Sequence, residues 1–116
     1  MTQVSTDCLF CRIIAGEIPA DVVAETSTVV AFRDVNPQAP LHVLVVPREH
    51  VANAASLADT VPATLADLVL VAREVAEKAG HESHRLVFNT GADAGQTVLH
   101  AHLHVLAGRS LTWPPG

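Results

Sequence analysis

The stretch His100-Ala101-His102-Leu103-His104-Val105-Leu106 sets three histidines at alternate positions, with apolar residues between and after them. A β-strand repeats every two residues, so a strand through this stretch would carry His100, His102 and His104 on one face and turn Ala101, Leu103 and Val105 into the core. Imidazole serves as nucleophile, proton carrier or metal ligand near neutral pH. Three on one strand face mark the place where chemistry is expected.

The rest of the chain supplies a scaffold for such a strand. Further strands are expected at 22–25, 29–34, 42–46 and 85–89, where β-branched and apolar residues recur between turn-forming segments such as Asn36-Pro37-Gln38-Ala39-Pro40. The fifth would run over 101–107. Leu65, Leu68, Ala72, Val75 and Ala79 repeat at helical spacing from about Pro62, with Asp59 or Thr60 as the expected cap and Gly80 just past the end. A short helix should follow Asp7 as N-cap, carry the apolar residues Leu9, Phe10, Ile13 and Ile14, and stop at Gly16. The expected architecture is an α+β domain with a mostly antiparallel five-stranded sheet, one long helix and one short helix. Residues 1–6 read as a loose tail, and 7–116 as one domain. The centre of the long helix, Leu68-Val69-Leu70-Val71-Ala72, is apolar around more of its circumference than one packed face requires, which leaves a second face for a partner subunit or for the N-terminal segment to cover.

Composition narrows the function. A chain of 116 residues, 49% apolar, can build a substantial core without staples. Its net charge of −5 and lack of a basic run disfavour a nonspecific grip on nucleic acid. No apolar run is long enough to span a bilayer and no leader pattern is evident, so the reading is soluble and cytoplasmic. Cys8 and Cys11 are too close to close a useful disulfide loop. A lone pair at this spacing can be two reduced thiols, a redox pair or half a zinc site.

The histidine row itself admits a metal site or a histidine nucleophile supported by histidine donors, and the spacing does not separate them. The adjacent Gly95-Gln96-Thr97 favours the nucleophile, because a flexible glycine, two polar side chains and backbone amides beside the row suit the binding of phosphate oxygens. His42, at the head of an apolar strand, would ordinarily be a core or edge residue.

The row resembles the histidine-triad signature at every position. The resemblance extends to Phe10-Cys11-Arg12-Ile13-Ile14, Glu17-Ile18-Pro19, Phe32-Arg33-Asp34, Pro37-Gln38-Ala39-Pro40, Asn89, Gly95-Gln96-Thr97-Val98 and Trp113-Pro114-Pro115-Gly116. It is most similar to the histidine-triad nucleotide-binding branch, which hydrolyses purine nucleoside phosphoramidates. The resemblance implies that His102 attacks the α-phosphorus and carries a covalent nucleotidyl group, which water resolves. It implies that His104 and His42 set the protonation pattern, that Asn89, Gly95, Gln96 and Thr97 orient the phosphate, and that Asp34 accepts hydrogen bonds from the ribose. Phe10, Ile13, Ile18, Phe32 and Val35 would form the purine slot, and Trp113 would belong to the substrate site. A histidine at position 104 resembles the hydrolase branches, whereas the nucleotidyltransferases carry glutamine there. The resemblance further implies a structural zinc held by Cys8, Cys11, His50 and His100, no catalytic metal, and a homodimer. The alternative readings are a nucleotide-binding or regulatory module with incidental turnover, a dinucleoside polyphosphate hydrolase, and a metallohydrolase using His100, His102 and His104 as ligands.

Overall fold

The computed structural model describes residues 7–116; the tail expected at 1–6 lies outside the described residues. The order of elements is α1 (Leu9–Ile14), β1 (Val22–Glu25), β2 (Val29–Arg33), β3 (Leu41–Pro47), α2 (Ala54–Thr60), α3 (Pro62–Lys78), β4 (Arg85–Phe88), a 3₁₀ turn (Ala92–Ala94) and β5 (Leu103–Ala107). The five strands form one antiparallel sheet in the order β1-β2-β3-β5-β4. All five expected strands are present.

Strand alternation divides the sheet into two chemically different faces. Val29, Ala31, Leu41, Val43, Val45, Leu103, Val105 and Ala107 point to one side and pack with Leu57 of α2 and with Leu68, Val71, Ala72, Val75 and Ala76 of α3. The intervening residues Val30, Phe32, Leu44 and Val46 face the other way and pack with Phe10, Cys8 and Cys11 around α1. Every residue of β3 is buried, because helices cover both of its faces. His42 and His104 fall on the α1 face by the same alternation, two residues removed from Leu44 and Leu106.

Pro62 occupies the first turn of α3, where its missing N–H costs nothing. At the other end Gly80 (φ +84°) donates to the Glu77 carbonyl, and His81 donates to that of Ala76. This pair of bonds is a Schellman closure, which satisfies carbonyls left over by the helix end. The cap differs from expectation: Val61, rather than Asp59 or Thr60, precedes Pro62, since those two residues finish α2. That second short helix was not anticipated. Asn53 nucleates it by accepting from the Ser56 N–H at 2.9 Å. Cys8, not Asp7, caps α1, its sulfur accepting from the Cys11 N–H at 3.3 Å.

The largest departure concerns the histidine row, because β5 begins at Leu103 rather than Ala101. In the register that pairs Val45 with Leu103, Ala101 would meet Pro47, which has no N–H to give to a ladder. The Pro47 carbonyl is instead taken by the ring of His100 at 2.9 Å. The Ala101 N–H turns to the Val51 carbonyl at 2.7 Å. The row is thus bent at its start, and its first histidine goes elsewhere.

Candidate active site

His102 sits one residue ahead of β5, with its Nδ1 2.7 Å from the His100 carbonyl. A carbonyl only accepts, so Nδ1 carries the proton and the lone pair is left on Nε2. Phe10 stands edge-on against this ring at a centroid distance of 5.0 Å and against Phe32 at 5.5 Å. The nucleophile candidate is therefore held by a hydrogen bond on one side and an aromatic wall on another.

A second chain of hydrogen bonds fixes the remaining histidines. The Gln38 backbone N–H donates to Nδ1 of His42 at 3.0 Å, which forces the proton of neutral His42 onto Nε2. That Nε2–H points to Nδ1 of His104 at 2.9 Å, with Oδ2 of Asp34 at 3.4 Å. His104 then keeps its own proton on Nε2, available as a donor. Electrostatics agree with neutral rings. Burial, with help from the neighbouring His102 and His42, pushes His104 down to about 4 against the opposing pull of Asp34. Burial likewise lowers His42, and Asp34 offsets part of that shift.

His100 is fully buried on the other side of the bend. Its Nε2–H donates to Pro47, so the Nδ1 lone pair faces Cys8 Sγ at 3.4 Å, Cys11 Sγ at 3.6 Å and His50 Nδ1 at 3.2 Å. Cys11 Sγ lies 3.3 Å from His50 Nδ1. Burial, reinforced by His50 and His102, pushes His100 to about 4, although its bond to Pro47 opposes this. A tetrahedral zinc with bonds of ~2.3 Å to sulfur and ~2.05 Å to nitrogen has donor–donor edges of roughly 3.3–3.8 Å. Two sulfurs and two imidazoles at these separations, one ring already oriented by a carbonyl, fit zinc as a closed structural set. Asp34, His42 and His104 form the other cluster of possible ligands among the described residues. His100, His102 and His104 do not converge on one point, so the row does not present the three-ligand catalytic ion of the metallohydrolase reading.

A cavity of about 650 Å³ opens between α1, the Ile18–Asp21 segment and the sheet. Phe10, Ile13, Ile18, Phe32 and Val35 line its apolar part, while Asp34, Thr97, His102 and His104 supply its polar end. The Asp34 carboxylate is steadied by the Asn36 N–H at 2.8 Å. The HIT domain family model matches residues 15–111. The chain belongs to the HIT family. An uncharacterized HIT-like protein of Synechococcus elongatus is 49% identical over 113 residues, covering 97% of this chain and 99% of that protein. A HIT family hydrolase from Legionella pneumophila superposes with a TM-score of 0.90 at 46% identity, over 95% of this HIT chain and all of that one. A histidine triad nucleotide-binding protein from Candida albicans superposes with a TM-score of 0.77 at 30% identity, over 93% and 83% of the two chains.

Five catalytic or substrate-binding residues of the HIT site named from the sequence, His42, Asn89, Gly95, Gln96 and Trp113, stand outside that cavity. Asn89 lines a neighbouring one with His42 and His104. Gly95 (φ +96°) is in the left-handed region, and a side chain there would come within 3.8 Å of Asn89. Gln96 is buried and its amide is spent on backbone: it accepts from the Gly91 N–H and donates to the carbonyls of Ala52 and Val98. Trp113 is 84% exposed. Gln38 stands in the Pro37-Gln38-Ala39-Pro40 segment of the resemblance, but its role in orienting His42 was not read from the sequence because it acts through its backbone N–H.

Proposed function

We propose that this HIT-family nucleotide hydrolase cleaves the P–N bond of purine nucleoside phosphoramidates through a covalent intermediate on His102. Family membership and hydrolase neighbours support a HIT-type nucleotide-hydrolysing or nucleotide-binding protein. The tautomer pattern supports covalent catalysis: His102 presents an Nε2 lone pair beside His104, whose Nε2–H is available to substrate. The purine would fill the apolar walls, and the ribose hydroxyls would donate to Asp34. Nε2 of His102 then attacks phosphorus, and the P–N bond breaks as the leaving nitrogen takes the proton from Nε2 of His104. Water then adds hydroxide to phosphorus, frees His102 and returns its other proton to His104. Over the cycle, phosphoramidate and water give nucleoside monophosphate and amine.

In this reading Asn89, Gly95 and Thr97 shape the phosphate end, and Gln96 holds their loop. Trp113 would reach a substrate only with its segment repositioned or from another subunit. Cys8, Cys11, His50 and His100 would hold a zinc that crosslinks α1 to the segment before β5, a structural contribution outside the chemical step. Within a single chain Val69 and Leu70 are 42% and 46% exposed on α3, which supports a homodimer whose interface includes that helix and extends the sheet of each subunit. Among the described residues no helix is long and apolar enough to cross a membrane, in keeping with a cytoplasmic enzyme. The direct test is turnover of adenosine and guanosine phosphoramidates, diadenosine polyphosphates and simple esters by purified protein, with and without chelator. Preferential, chelator-resistant P–N cleavage is expected. Faster hydrolysis of the polyphosphates, or abrupt loss of activity in chelator while the fold persists, would reject the reading.

A further inference from the structure

We propose that Arg85 and Arg109 form an anion-binding subsite for the leaving group, so that the preferred substrates release an amine bearing a carboxylate. The proposal rests on the phosphoramidase reading and narrows its substrate class. A second cavity, of about 310 Å³, borders the histidine pair, with His42, His104, Asn89, Arg85, Arg109 and Gln38 in its wall. His104 lines both cavities, so a phosphorus placed at His104 has the nucleoside cavity on one side and this smaller space on the other.

The sheet register puts Arg85 there. Val87 of β4 pairs with His104 and Arg85 pairs with Leu106, which in turn pairs with His42 on β3. Alternation gives these positions a common face. Arg109 arrives from just beyond β5, where its Nε donates to the Gln38 carbonyl at 2.8 Å and its Nη1 to that of Ser110 at 3.0 Å. Nη2 of Arg85 donates to the Thr112 carbonyl at 2.8 Å. Carbonyls orient the two guanidinium groups without neutralising them.

The contrast with the other arginines is what makes the pair informative. Arg12, Arg33, Arg48 and Arg73 each lie within 4.0 Å of a carboxylate, of Glu17, Asp21, Glu25 and Glu77 respectively. Among the described residues Arg85 and Arg109 have no such partner, and no carboxylate lines their cavity. Two uncompensated cations sharing one small cavity, in a chain of net charge −5, are matched to an anion brought by the substrate. The size of the space favours an amino-acid-like group over a second nucleotide.

The test compares adenosine 5′-phosphoramidates of glycine and of glycinamide, which differ by carboxylate against carboxamide. The parent enzyme should show kcat/KM about tenfold higher for the glycine compound, about the effect of one charge-assisted hydrogen bond. Arg85→Gln should bring the ratio of the two values close to one, Arg85→Lys should keep most of it, and Arg85→Gln with Arg109→Gln should abolish it. A parent ratio near one, or a ratio unmoved in the double variant, overturns the subsite while leaving phosphoramidase activity standing. Failure of the parent to cleave either compound overturns both readings. Diadenosine triphosphate cleaved faster than the glycine compound, with a rate sensitive to Arg85→Gln, would give the subsite to phosphate and overturn the carboxylate.

Discussion

Gln96→Leu removes a side chain that the sequence places beside the phosphate but whose polar atoms all engage backbone. The amide makes three hydrogen bonds, from the Gly91 N–H at 3.0 Å and to the carbonyls of Ala52 at 2.7 Å and Val98 at 3.1 Å. At ~1 kcal/mol for each bond, the substitution should cost about 3 kcal/mol, and more if the stranded carbonyls stay dry. The entropy of unfolding at about 2.1 cal/mol/K per residue makes 3 kcal/mol worth roughly 12 °C of melting temperature for a chain of this length. Scanning calorimetry of parent and variant reads this directly. Turnover should fall as well, since the loop between β4 and β5 would lose its tie to the Ala52 segment. A melting temperature within about 3 °C of the parent, together with a selective rise in KM, would show that Gln96 contacts substrate and that the clamp reasoning is wrong.

Replacing Cys8 and Cys11 by serine should abolish binding of about one zinc per chain and lower the melting temperature more than kcat; a parent free of zinc, or unmoved by chelator, would contradict the site. Because folded His104 titrates near 4 rather than at the ordinary 6.5, the unfolded chain binds a proton between these values that the folded chain refuses. The stability that neutral His104 contributes is complete above pH 6.5 and is lost as pH falls toward 4, so the urea midpoint should drop over this window and drop less in His104→Asn. Val69→Asp, which would bury an unpaired carboxylate at a symmetric α3 interface, should shift sedimentation at micromolar concentration from dimer to monomer. A monomeric parent would refute the interface.

Much of the scaffold was legible because period and punctuation agree. The Leu68, Ala72 and Val75 spacing, closed by Gly80, specifies α3 almost to the residue, and β-branched runs between turns locate all five strands. The helix α2 escaped notice because it spans only 54–60, shorter than two full amphipathic turns, and its start depends on the single Asn53 cap. The bend before β5 escaped for another reason. Alternation predicts a straight strand, and only the tertiary register reveals that Pro47 stands where the ladder would need a donor. Local pattern puts Phe10 and Phe32 in the core, where they are, and gives no sign that both also line the cavity. The roles of Arg85 and Gln38 were not legible, since one depends on strand pairing and the other on a backbone amide.

The central claim is a nucleotidyl group carried by His102. Protein quenched during turnover of an adenosine phosphoramidate should show, by intact mass and peptide mapping, one adenosine monophosphoryl group on His102. His102→Asn should carry none and lose turnover by about a thousandfold or more while keeping its fold. An adduct on another residue, no adduct in a single-turnover quench, or near-parental activity in His102→Asn would contradict the account.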